Sequence, residues 1–395
     1  MTVNLDKLFV IDIKASSWLP FLFILTTTLR MCIAFSDLGM LPLSYAILAI
    51  NILAFAVMLF FYTKQGFVSH YIILVSLFQL LLLSITIITG MDIKDCLYWG
   101  CECVLISLIM EYYHGKFNII LISFAIAFSL CAYLNILHII THPQLWFVEE
   151  AKKDGGYLLG NSYNQMGCRL LFAVISSCLC QKISKWWAVN TFFVIIASIS
   201  ALMIVRSMTS LTCIILFSVI CFIPFKQILR LSILGLFVFF FLFQIFVCFY
   251  GTGLENNEFA TYFIEDVLDK NITFTNRTEM WDSSAKTFLE SPVWGHGLVD
   301  GEWYLSHMNS TASGPHNLIY SILIYGGIIL LILFSYLFWY SIKGIILSLN
   351  RYHLLILASI GVYLIMSTME VYPYTFTLYL LALAYYVSLS YSGNS

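Results

Sequence analysis

Charge is what this chain has least of. Asp, Glu, Lys and Arg make up 10% of its 395 residues and hydrophobic residues 61%, whereas soluble domains carry about 25% charged residues. A water-soluble fold of this size has too few charges to solvate its surface. Also missing are the ten-residue alternating segments of a membrane β-barrel and the basic excess of a nucleic-acid binder, the net charge being −2. There is no Walker A sequence, no dinucleotide fingerprint, no HExxH and no Cys/His cluster at ligand spacing, so soluble nucleotide chemistry and a metal centre are without support. The polar stretch 251–316 lacks cysteine, so disulfides do not staple it. Residues 1–17 run into a full-length apolar span without a small-residue cleavage site, unlike a removable signal.

What fills the chain is a series of apolar blocks of about 16–24 residues, the length that crosses a hydrocarbon core. Within such blocks every backbone group must pair internally, which favours helices. The expected spans are 17–36, 41–62, 70–89, 97–113, 117–137, 168–183, 187–205, 208–224, 231–250, 317–341, 353–369 and 374–391. The expected fold is thus an all-α integral membrane protein of about twelve transmembrane helices. Spans 1–9 occupy 1–250, a long, partly helical extracytoplasmic loop takes 251–316, and spans 10–12 occupy 317–395. Lys64, Lys116, Lys182, Lys185, Lys226, Arg230, Lys343 and Arg351 then fall in the inner loops and most acids in the outer ones. By the positive-inside rule both termini are cytoplasmic. Most of the eleven cysteines lie within spans, where they read as small packing residues.

Two outer segments, 138–167 and 251–316, exceed simple turns. In the second, Asn276 and Glu279 have capping-box spacing. A helix is expected from Arg277 to about Glu290, with Trp281, Ala285, Phe288 and Leu289 on one side. Pro292 stops it and a turn at Gly295 and Gly297 follows. The aromatic face would rest on the membrane interface or on the helix bundle.

Three residues attract chemical interest. Arg206 interrupts ALMIVRSMTSLTCIIL at the outer junction of two spans, where a cation needs a partner, although a snorkelling anchor is the ordinary reading. Arg277 opens the loop helix, a good anion position, although a solvated loop charge looks the same. His316 lies in SGPHNLIY where the loop re-enters the membrane, and a neutral imidazole there can take a proton from a hydroxyl. His296 and His307 are its rivals, and a structural role is the common one. Arg30 and Glu102 lie inside spans, as substrate-binding groups or as a structural ion pair. Asn161, Asn164 and Arg169 in the first outer segment are candidates to contact sugar hydroxyls or phosphate. Trp281, Trp294 and Trp303 suit stacking on sugar rings or packing at the interface. Glu279 and Asp282 read as capping or solvating the loop helix.

Four stretches, in order, give the chain a family likeness: GNSYNQMG (160–167), VRSMTSL (205–211), NRTEMWDSSAKTFLESPVWGHG (276–297) and PHNLIYSILIYGG (315–327). With them the chain resembles the O-antigen ligase and polymerase family of bacterial envelope glycan assembly, which includes the Wzy-type polymerases. Val205 and Met208 replace the Ser and Gly usual around the arginine of the second stretch. The resemblance implies a GT-C-like membrane glycosyltransferase of the bacterial cytoplasmic membrane. It implies inverting, metal-independent transfer on the outer face, no cofactor, and a glycan donor linked to undecaprenyl pyrophosphate. By the same resemblance Arg206 and Arg277 hold the donor pyrophosphate and His316 activates the acceptor hydroxyl, with Asn317 beside it a further substrate-binding candidate. The implied partners are donor, glycan acceptor, lipid bilayer and a chain-length regulator protein, with no nucleic acid. A repeat-unit polymerase and a ligase share this chemistry. A composition rich in Tyr, Phe and Ile, typical of AT-rich genomes and of bacteria that make capsule, favours the polymerase. A lipid-linked oligosaccharide flippase is the alternative of another class, but the large polar mass on one face argues against it.

Overall fold

The computed structural model describes residues 15–35, 38–64, 69–147, 156–160, 164–249, 277–308, 314–348, 350–370 and 372–391. Asn161 and all of 251–276, Asn276 included, lie outside them. The regular elements among the described residues are all helices, with a single isolated bridge pairing Ile33 and Leu159. The helices are α1 (Ala15–Cys32), α2 (Leu41–Lys64), α3 (His70–Thr89), α4 (Ile93–Tyr112), α5 (Phe117–Thr141), α6 (Gln144–Phe147), α7 (Met166–Cys180), α8 (Trp186–Val205), α9 (Met208–Phe222) and α10 (Lys226–Phe243). A π-helical turn, Gln244–Phe249, extends α10. After it come α11 (Arg277–Glu290), α12 (Gly301–His307), α13 (Leu318–Ser348), α14 (Arg351–Ser367) and α15 (Tyr374–Tyr391).

Each expected span coincides with a helix, its ends shifted by a few residues. Among the described residues six helices are long and apolar enough to cross a membrane: α2, α3, α5, α8, α10 with its π turn, and α13. Five shorter apolar helices accompany them, while α4 carries Lys94, Asp95, Glu102 and Glu111.

The layering follows side-chain chemistry. The peripheral helices are apolar all round and leave large hydrophobes exposed, such as Leu53 on α2, Phe192 on α8 and Leu231 on α10, as a lipid solvent permits. The central helices α7, α14 and α15 are almost wholly buried and hold small and hydroxyl residues. Such residues let backbones approach closely. Gly167 on α7 lies where a Cβ would run into the Ser210 side chain of α9. Buried polar groups pair across helices: Tyr363 with Thr377 at 3.1 Å, Tyr374 donating to Gln79 at 2.9 Å, and Asn190 donating to Ser177 at 2.8 Å.

The described part of the long loop is built into the bundle. Helix α11 has the expected bounds. Trp281 is fully buried against Phe243, Tyr320 and Leu323, with Ala285 and Phe288 beside it. Its face therefore rests on the helix bundle. Leu289 corrects the expectation: it is exposed, because the buried stripe follows the 3.6-residue period and one step beyond Phe288 leaves it.

After α11 the chain docks backbone-to-backbone into a break in α13. Gly326 and Gly327 have non-helical angles, Gly327 with φ +61°, and a break leaves main-chain groups without helical partners. The turn supplies them: His296 N–H donates to Ile324 O at 2.7 Å and Gly297 N–H to Tyr325 O at 3.0 Å, while Ile328 N–H donates to Pro292 O at 2.9 Å. Gly295, at φ +70°, sits so close that a Cβ would lie 2.5 Å from Gly326 N. The SP-x-x-G-x-G stretch and the Gly pair of α13 are thus two halves of one joint. Non-helical backbone at membrane depth is tolerated where protein covers it in this way.

Candidate active site

The joint brings the start of α11, the segment before α13 and the turn between α14 and α15 to one end of the bundle. Beside them opens a cavity of about 560 Å³. Its walls come from α1 (Arg30, Met31), α4 (Tyr98, Trp99, Glu102), the entry to α7 (Gly160, Asn164, Gln165, Arg169), the loop around α12 (Asp300, Tyr304), His316 and Tyr325, and the α14–α15 turn (Glu370, Tyr372).

Three charged clusters meet there. In the first, Arg277 clasps the α14–α15 turn: Nε donates to Met369 O at 2.7 Å and Nη2 to Glu370 Oε1 at 2.9 Å. The other carboxylate oxygen, Oε2, lies 3.7 Å from His316 Nδ1. Glu370 is only 3% exposed. Glu370 lines the cavity and Arg277, its partner, does not.

The second cluster is Arg169, 6% exposed. Its Nη1 donates to Gln165 O at 2.6 Å and its Nε to Met31 O at 3.4 Å. Its guanidinium carbon lies 5.1 Å from the Phe376 ring centroid, a favourable cation–π position. Gly160, at φ +86°, makes room for it, since a Cβ there would come 2.8 Å from Nη1. The first glycine of the GNSYNQMG stretch therefore lets the backbone pass this arginine.

The third is Arg30, 3.3 Å from Glu102 Oε1 and with its guanidinium carbon 3.5 Å above the Tyr98 ring. The ion-pair reading of these two residues has a geometric basis. The pair is nonetheless poorly aligned, because Arg30 Nε and Nη1 and Glu102 Oε1 are buried without a hydrogen bond among the described residues.

Arg206 stands apart from the cavity. It is exposed and occupies the left-handed region, φ 60°. Its N–H donates to Met203 O at 3.2 Å and that of Ser207 to Leu202 O at 3.0 Å, the Schellman pattern that closes a helix and usually takes Gly at this position. Its neighbour Ser207 is buried and reaches Asn164 of the cavity wall at 3.4 Å. His316, at φ 45°, is the other non-glycine residue of positive φ among those described. Such a conformation costs about 1–2 kcal/mol, and strain of this kind clusters at functional sites.

The remaining sequence candidates divide. Asn164, Arg169 and Arg30 line the cavity. Asn317 does not: its Oδ1 accepts from the N–H of Ile319 and Tyr320 at 2.9 and 3.1 Å, capping α13, and its Nδ2 donates to Gln244 at 2.9 Å. Trp281 is a packing residue inside the bundle. Asp282 pairs with Lys286 at the surface. His296 contacts Thr287 O, and His307 stacks on Trp303, so neither rival joins the cavity wall. Among the described residues no group of three or more His, Cys, Asp or Glu side chains converges as a metal site.

Sequence reasoning missed Glu370, Asp300, Tyr304 and Tyr372. A lone acid in the short turn between the last two apolar spans was the available signal for Glu370. Burial pushes the Tyr372 hydroxyl well above its usual range, with the negative Glu370 adding to it. Burial, then Tyr325, does the same to Tyr304. Both phenols stay protonated at neutral pH and can donate hydrogen bonds.

Residues 171–335 match the O-Antigen ligase family. That bears out the resemblance carried by the motifs. The matched stretch runs from α7 to the kinked α13 and holds Arg206, Arg277 and His316. Arg30, Glu102, Arg169 and Glu370 lie outside it. No curated protein and no solved structure matches the chain. The chain is a multi-pass helical membrane protein whose residues 171–335 are similar to the O-antigen ligase family.

Proposed function

We propose that this chain is a polysaccharide polymerase. It joins oligosaccharide repeat units carried on undecaprenyl pyrophosphate, by inverting, metal-independent transfer at the outer face of the bacterial cytoplasmic membrane. The observation that carries the reading is the meeting of His316, Glu370 and Arg277 at a cavity that also holds Arg30 and Arg169.

The chemistry is a single displacement. The acceptor sugar oxygen attacks the anomeric carbon of the donor. The bond from that carbon to the diphosphate oxygen breaks, and its electron pair leaves with the diphosphate. The acceptor proton passes to His316, whose Nδ1 is turned to Glu370, leaving Nε2 for the cavity. An unactivated hydroxyl gains about 10²–10⁴-fold from such a base. The departing diphosphate gathers negative charge, which preorganised guanidinium donors stabilise. Arg169, buried, and Arg277, half-buried, are the donors suited to this task, while Arg206, which the family resemblance implies, lies outside the cavity. The protonated phenols of Tyr372 and Tyr304 suit sugar oxygens.

A ligase of the same family uses the same donor chemistry, and the family description itself favours that reading equally. Product length separates the two. Surface glycan from knockout cells complemented with His316→Ala or Arg277→Ala, resolved on a gel, is expected to lack the ladder that wild type restores, at equal protein level. A wild-type ladder from either variant removes that residue from the mechanism. A single band shift with wild type, in place of a ladder, makes the chain a ligase.

A further inference from the structure

The buried carboxylate of Glu370 has two neighbours and satisfies one. Oε1 accepts from Arg277 Nη2 at 2.9 Å. Oε2 and His316 Nδ1 face each other at 3.7 Å, and both are buried without a hydrogen bond among the described residues. Unmade bonds between buried polar atoms are costly, and an approach of less than 1 Å would close this one. What holds the carboxylate back is its grip on Arg277, which is itself fixed to the turn through Met369 O. Glu370, and not Arg277, lines the cavity. The Glu370 carboxylate thus joins the cavity wall to the Arg277 guanidinium.

We propose that Glu370 is a resident counter-anion that the donor diphosphate displaces. In the empty site it neutralises Arg277. When a diphosphate takes over the guanidinium, the freed carboxylate closes on His316 Nδ1 and fixes the imidazole with its other nitrogen toward the acceptor hydroxyl. The base is thereby completed only when donor is bound. Glu370 is a positioning residue in this scheme, acting through His316 and competing for Arg277. The inference rests on the transferase reading above.

The scheme makes an unusual demand, that removing the charge of Glu370 should tighten diphosphate binding while slowing turnover. A merely structural residue would weaken both. Inorganic pyrophosphate serves as the probe, titrated calorimetrically into full-length protein in lipid nanodiscs, and turnover is measured with a lipid-linked repeat unit. Glu370→Gln, which keeps shape, is expected to bind pyrophosphate several-fold tighter and to lose at least about tenfold in kcat. In an Arg277→Ala background the tightening should vanish. Glu370→Asp, a shorter carboxylate with a looser grip on Arg277, should fall between in both measurements. It decides the matter if Glu370→Gln does not elute as a folded species. Pyrophosphate affinity unchanged or weakened in both variants, or kcat within threefold of wild type, overturns the proposal. Wild-type protein that makes no glycosidic bond at all instead refutes the transferase reading, and the two failures are told apart by that control.

Discussion

Replacing Gly295 by Ala should separate the two halves of the site. Gly295 lies at φ +70°, and a Cβ there would come 2.5 Å from Gly326 N, 2.6 Å from Ile324 O and 2.7 Å from Gly327 N. All three are backbone atoms of the broken helix α13, so no side chain can turn away. The left-handed conformation alone costs an Ala about 1–2 kcal/mol. Backing the turn off would strain three joint hydrogen bonds, Ile324–His296, Tyr325–Gly297 and Pro292–Ile328, each worth about 1 kcal/mol and more when the groups stay buried. The total is roughly 3–5 kcal/mol. Gly90, which closes α3 at φ +71° with nothing within 4 Å of its Cβ position, is the internal control, because Gly90→Ala bears the conformational term alone, about 1–2 kcal/mol. The assay is the temperature at which purified protein loses its monodisperse peak, alongside transferase activity at a temperature where both variants survive. Gly295→Ala should melt well below Gly90→Ala and be inactive, since this turn links the helix bearing Arg277 to the one that follows His316. Equal melting of the two variants would refute the joint.

Two further substitutions test single residues. Arg206→Gly should leave α8 as stable or gain about 0.5–1 kcal/mol, because Gly is the natural left-handed cap, yet lose most turnover; full activity would reduce Arg206 to a helix terminator. Asn317→Ala should cost about 1–2 kcal/mol through the lost cap, non-additively with Gln244→Ala, and leave the acceptor KM unchanged; a raised KM without loss of stability would return Asn317 to the binding site.

The elements were legible because bilayer length and hydropathy dictate them, and α11 was legible to the residue because Arg277 follows a capping signal and Pro292 stops it. Their arrangement was not. Nothing local in SPVWGHG or in Gly326–Gly327 says that each completes the other's hydrogen bonds, as the partners are distant in sequence. The site divided in the same way. His316 and Arg277 could be found from motif and position, whereas Glu370 sits in a turn whose importance appears only when α14 and α15 pack beside the loop. Asn317 read as a substrate-binding candidate and caps α13, because an amide next to a histidine at a helix start satisfies either description. Arg206 was correctly placed at a break, but the chain solves the break with a Schellman turn and leaves the side chain exposed outside the cavity.

The most direct measurement incubates purified protein with a lipid-linked repeat unit, with and without chelator, and reads product length and anomeric configuration. The account predicts a ladder of inverted linkages, unaffected by chelator and abolished by His316→Ala. Retained configuration, a chelator-sensitive reaction or full activity in His316→Ala would contradict it.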